Sequence, residues 1–113
     1  MSKNDTLQEL AEILEKRKQA SESESYVASL YAAGTEKILA KISEEANETI
    51  QAAEELEADN EQDKQHLIHE VADLWFHCMV LLAHKNTSHT EVLAELDSRF
   101  GISGLVEKAQ RNN

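Results

Sequence analysis

Leu7, Leu10, Ala11 and Leu14 recur three and four residues apart, which puts their side chains on one face of an α-helix. With Thr6 and Glu9 in capping-box positions, the pattern predicts a first amphipathic helix from Thr6 to about Lys18. The polar stretch Gln19 to Ser25 reads as a connection. Tyr26, Val27, Leu30 and Tyr31 form a second, shorter stripe that Gly34 is placed to end. Thr35 can cap a long third helix, whose inward stripe runs through Ile38, Leu39, Ile42, Ala46, Thr49, Ile50, Ala53 and Leu56 and stops near Asp59 and Asn60.

The fourth helix, from about Glu61 to Lys85, has a different pattern. From Val71 to Ala83 it is apolar around nearly its whole circumference, interrupted only by Asp73 and His77. Those 13 residues fall short of the ~20 that span a bilayer, so the segment reads as a core helix. A helix apolar on all sides must be covered on all sides, which a chain of 113 residues with few aromatics can hardly do alone. The pattern therefore predicts a helical oligomer, most simply a homodimer. Ser88 and Glu91 offer a second capping box, and Val92, Leu93, Leu96 and Phe100 give a last stripe before Gly101; no pattern is assigned to Ile102 to Asn113.

Composition supports a single all-α domain over residues 1–113, a bundle of four to five helices completed by dimerisation. The chain has no proline, three glycines and 4% aromatic residues, which favours helix over sheet. At this length a fold buries about two thirds of its unfolded surface, enough for one core, so a functional site must be built from core-lining elements. The 22 acidic residues against 11 basic ones give a net charge of −11, which argues against nucleic-acid or membrane partners. A phosphate ligand would need a cation with it. Met1 to Leu10 carries no secretory pattern, so a cytoplasmic location is expected. The single Cys78, in an apolar run, reads as a packed thiol.

Two acidic sets remain. Glu44, Glu45 and Glu48 form E-E-x-x-E on the third helix, and Glu70 and Asp73 form E-x-x-D on the fourth. Helical geometry puts Glu45 at the edge of the apolar stripe and Glu48 on the adjacent surface, while Asp73 is surrounded by apolar sequence. An unpaired buried carboxylate costs several kcal/mol. A divalent cation reconciles the pattern: Mg²⁺ takes a few carboxylates and fills its octahedron with water and substrate phosphate. The 21 residues between Glu48 and Glu70 allow one helix to end and the next to return alongside it. A di-iron centre would call for Glu-x-x-His pairs, and none occurs. His66, His69 and His77 flank Glu70 and Asp73 at helical spacing, as ligands or as partners and packed imidazoles. Lys37 and Lys41, one turn apart, can meet phosphate oxygens, although Lys41 is equally placed to pair with Glu45.

The stretches SYVASLYAAGTEKILAKISEEANE (Ser25 to Glu48) and HEVADLWFHCMVLLAH (His69 to His84) resemble the phosphoribosyl-ATP pyrophosphatase family of histidine biosynthesis, over about residues 5 to 111. The two acidic motifs are shared with the wider all-α nucleotide pyrophosphohydrolase superfamily. SYVASLYAAG, the Lys-rich EKILAKI and the closing GISGLVEKAQR are the more specific parts. At Trp75-Phe76 the family often has an apolar residue followed by Tyr, so no tyrosine hydroxyl contact is carried over there.

The resemblance implies Mg²⁺-dependent hydrolysis of phosphoribosyl-ATP, a nucleotide substrate, to phosphoribosyl-AMP and pyrophosphate by a helical homodimer. By residue match, Glu45, Glu48, Glu70 and Asp73 are expected as ion ligands, with Glu44 binding a second ion or orienting the attacking water. Two other functions fit the same residues: a housecleaning (d)NTP pyrophosphohydrolase of the superfamily, and a non-catalytic helical interaction module.

Overall fold

A computed structural model describes residues 5–101, and the segment 102–113 lies outside the described residues. Five α-helices follow one another: α1 (Thr6–Lys16), α2 (Tyr26–Ala33), α3 (Thr35–Glu54), α4 (Glu61–His84) and α5 (His89–Phe100), with a 3₁₀ turn at Arg17–Gln19 extending α1. Among the described residues there is no strand, as the helix-favouring composition requires. No described helix is long and apolar enough to cross a membrane.

The helix ends depart from expectation in instructive ways. Asp5, not Thr6, occupies the N-cap of α1, and Thr6 is already helical. Ser25 caps α2 by accepting a hydrogen bond from the Ala28 N–H at 3.1 Å. Gly34 then ends α2 and begins α3 with φ +96° and ψ −179°, a conformation open essentially to glycine, so it takes the cap position expected for Thr35. Helix α3 stops at Glu54, earlier than expected, and Asp59 turns the chain with φ +67°. Asn60 caps the next helix, not the last one: its side chain accepts from the Asp63 N–H at 3.0 Å. Ser88 holds the N-cap of α5 without a side-chain capping bond, its hydroxyl lying 2.6 Å from that of Thr90.

Helices α3 and α4 pack against each other more extensively than any other pair. Glu45 lies nine residues before the end of α3 and Glu70 nine after the start of α4, and the two meet in space, so the pair is an antiparallel hairpin. The core sits towards its open end, where Leu14, Leu30, Ile38 and Val80 from α1 to α4 are fully buried. Helix α2 is fastened over the hairpin by Tyr31, whose hydroxyl donates to the Leu14 carbonyl at 2.9 Å while its ring stacks on His84. That bond satisfies a carbonyl in the last turn of α1.

Several apolar positions expected to face inward are exposed among the described residues of this one chain. Leu39 and Ile50 on α3, Trp75 on α4, and the whole α5 stripe of Val92, Leu93, Leu96 and Phe100 remain open, as does Ile68, which lies before the apolar run of α4. Trp75, Val92, Leu93 and Leu96 line one apolar groove together with Cys78, which is half-buried, unpaired, and has its thiol pKa raised by burial.

Candidate metal and nucleotide site

The hairpin brings Glu45 of α3 against Glu70 and Asp73 of α4, with one carboxylate oxygen from each lying within 4.8 Å of the others. Helix periodicity explains the grouping: Glu70 and Asp73 are one turn apart on the face of α4 turned to α3. Glu48, one turn beyond Glu45, adds like charge that raises the Glu45 pKa, but lies outside this closest group of three.

Burial is distributed differently from the pattern read in the sequence. Asp73 was expected to be the enclosed carboxylate, yet its side chain is 41% exposed, because Ala72 and Trp75 beside it face outward. The enclosed one is Glu45, only 6% exposed. Its carboxyl pKa is pushed up to about 7, first by burial, then by the neighbouring Glu48 and by the charge of Asp73, with Lys41 opposing. Glu45 Oε2 and Glu70 Oε1 are both buried without a hydrogen-bond partner. Two orphaned acceptors in one acidic pocket, where the buried side-chain polar atoms of the described residues are otherwise paired apart from His89 Nδ1, offer the donor set of a hard divalent cation. Glu45, Glu70 and Asp73 would hold such an ion once side-chain rotation drew their oxygens together.

The histidines are partners. His66 Nε2 lies 3.1 Å from Glu70 Oε2, and His69 Nε2 lies 3.4 Å from Asp73 Oδ2, each one turn upstream of its carboxylate. His77 is buried with both nitrogens engaged: Nδ1 is 2.8 Å from the Asp73 carbonyl and Nε2 is 2.9 Å from the Tyr26 hydroxyl. A carbonyl can only accept, so Nδ1 carries the proton and Nε2 accepts from Tyr26. Tyr26 was not singled out as a site residue in the sequence; its signal was its place in SYVASLYAAG, where it read as part of the apolar stripe of the second helix.

Lys41 and Glu44 stand at the edge of the cluster. The Lys41 ammonium is 3.3 Å from Glu44 Oε2 and 3.9 Å from Glu45 Oε1, so the intrahelical pairing is formed. Partial burial alone would lower the Lys41 pKa, but the hydrogen bond to Glu44 and the charges of Tyr26, Glu44 and Glu45 together raise it. Glu44 and Lys37 are exposed.

A family model described as phosphoribosyl-ATP pyrophosphohydrolase matches residues 7–100. A Hydrogenovibrio crunogenus protein named phosphoribosyl-ATP pyrophosphatase is 50% identical over 109 residues, covering 96% of this chain and 95% of that protein. Proteins of the same name from Ruthia magnifica and Methylococcus capsulatus are 52% and 54% identical, over 97% and 95% of this chain and 99% and 96% of their own lengths.

Proposed function

Because the chain belongs to the phosphoribosyl-ATP pyrophosphohydrolase family, we propose that it hydrolyses phosphoribosyl-ATP to phosphoribosyl-AMP and pyrophosphate in histidine biosynthesis. Glu45, Glu48, Glu70 and Asp73 hold Mg²⁺ in this reading. The observation that carries it is the pair of buried, unpartnered oxygens on Glu45 and Glu70, contributed by different helices to one pocket. Bound there, Mg²⁺ supplies neutralisation of phosphate charge and polarisation of phosphorus towards in-line attack by water.

The protein's own groups do the positioning. His66 and His69 orient the Glu70 and Asp73 carboxylates from one turn away, as outer partners of ligating groups commonly do. Lys41 turns from Glu44 to a phosphate oxygen of the substrate, and Lys37 one turn upstream meets the outer phosphates. Glu44, released from its ion pair, is then free to orient the attacking water or to hold a second ion. No covalent nucleophile is required. The exposed apolar surface of α4 and α5 is covered by a second copy in a homodimer, and the setting is the cytoplasm.

Pyrophosphate release from phosphoribosyl-ATP, measured beside a panel of dNTPs with Mg²⁺ and with EDTA, tests the reading. Magnesium-dependent preference for phosphoribosyl-ATP is expected. Preference for any dNTP would move the chain to the housecleaning function. No hydrolysis, with melting unchanged by EDTA, would leave only an interaction module.

A further inference from the structure

Beside the carboxylate cluster lies a second feature that the hydrolytic chemistry does not use. A cleft of about 310 Å³ opens between α1 and the start of α2, walled by Leu10, Ile13 and Val27 and bounded by the rings of Tyr26 and Phe76. The two rings run nearly parallel, 19° apart with centroids at 6.4 Å. Tyr26 is 51% exposed and Ile13 46% exposed, so apolar and aromatic faces are open to a planar ligand. Arg17 and Glu24 stand on the same cleft. The Arg17 guanidinium forms no ion pair with any described residue, Glu24 included.

The cleft is joined to the cluster by short, rigid links. Phe76 follows Asp73 by three residues, ~4.5 Å along the axis of α4. Tyr26 is held by His77, whose other nitrogen is bound to the Asp73 carbonyl. The two features are thus neighbours one turn apart on α4, as a nucleotide's base and first phosphate are neighbours across a ribose. A nucleotide whose phosphates lie at Lys41 and the carboxylates would therefore bring its base to the Tyr26 and Phe76 rings. Aromatic faces suit such a base, because stacking requires only a π-surface.

Phosphoribosyl-ATP differs from ATP by a second ribose phosphate carried on the base, and thus by a phosphate monoester far from the anhydride that is cut. We propose that this cleft is the base and phosphoribosyl subsite, in which Arg17 binds the remote phosphate and so determines specificity for phosphoribosyl-ATP over simple nucleoside triphosphates. Charge complementarity selects the ligand: in a chain of net charge −11, an unpaired guanidinium beside an apolar cleft offers the bidentate donors that a phosphate accepts. Glu24, with acceptor oxygens only, faces the added sugar's hydroxyls. The proposal rests on the substrate reading given above and adds to it the residues that recognise the half of the substrate remote from the metal.

Binding of the products separates the two claims without requiring turnover. Affinities for phosphoribosyl-AMP and for AMP are measured by titration calorimetry in the presence of Mg²⁺, for the full-length chain and for Arg17→Ala and Arg17→Lys. Arg17→Ala is expected to weaken phosphoribosyl-AMP about tenfold or more, as loss of a charged hydrogen bond does, and to leave AMP within about twofold. Arg17→Lys should recover part of the loss, and circular dichroism should show unchanged helix content, Arg17 being exposed. Equal weakening of both ligands, no change in either, or a wild-type chain that binds the two alike would overturn the proposal. Failure of the wild type to release pyrophosphate from phosphoribosyl-ATP would instead overturn the substrate reading, and is read in a separate assay.

Discussion

Replacing Glu45 with Gln separates the cost of crowding carboxylates from the use made of them. The folded chain retains the Glu45 proton up to about pH 7, whereas the ordinary carboxyl value is 4.5. The folded state therefore binds a proton that the unfolded state has released, and it loses relative stability as pH rises from about 4.5 through 7, with no further loss above that. At ~1.36 kcal/mol per pH unit the ceiling is ~3 kcal/mol. Water reaches the half-exposed Asp73 and screens its charge, so a realised penalty of about 1–2 kcal/mol is expected. Glutamine preserves the shape of Glu45 and removes the titration.

Urea denaturation in EDTA, at pH 4.5 and at pH 8, measures the effect. The variant should gain on the wild type by about 1–2 kcal/mol between the two conditions, because only the wild type is penalised at the higher pH. Adding Mg²⁺ at ~100 times its dissociation constant should then stabilise the wild type by ~2.7 kcal/mol and the variant by much less. A difference between the two proteins that is identical at both pH values would refute burial and like charge as the origin of the raised pKa.

Other substitutions probe the ligand set and the frame. Glu48→Gln and Asp73→Asn should each lower pyrophosphate release by more than ~100-fold while circular dichroism stays unchanged; near-normal activity in either removes that residue from the ion site. Gly34→Ala should cost about 1–3 kcal/mol in urea denaturation, since φ +96° is strained for any side chain even though a Cβ there would meet nothing within 4 Å. A cost below ~0.5 kcal/mol would mean that the α2–α3 junction relaxes to another conformation. Leu14→Ala, at a fully buried position linking α1 to the hairpin, should cost ~2–5 kcal/mol by the same measurement, and a smaller loss would show that the core collapses into the space.

The helices were legible because periodicity and punctuation agree: apolar residues recur at three- and four-residue spacing, and Gly34 and Gly101 stand at helix ends. The exact ends were less so, because Thr6 and Thr35 have capping chemistry while a neighbour holds the cap position. The acidic motifs could be read, but which carboxylate is enclosed could not. Enclosure depends on which face of α4 meets α3, and a run of apolar letters around Asp73 does not reveal that Trp75 and Ala72 face outward. Tyr26 and Arg17 were invisible as site residues for a related reason. Each is an ordinary helix-flanking residue until α1, α2 and α4 come together and give it a neighbour 51 or more positions away in the chain.

The position of the acidic cluster within the hairpin connects binding to shape. Below it, towards the open end, Ile38 and Val80 are fully buried under α1 and α2. Above it, towards the α3–α4 loop, Ile50 and Ile68 are exposed, so that end has little apolar burial of its own to hold the two helices together. The cluster thus stands at the boundary between a packed half and a thinly packed half, where like charges push α3 and α4 apart. On the proposed reading, an ion at that boundary reverses the sign of the interaction: the same oxygens that separate the helices then draw them together. Bound there, an ion would hold the two helices together where the pocket meets a triphosphate. This gives a physical reason for placing carboxylates where an apolar pair would stabilise the bare fold more.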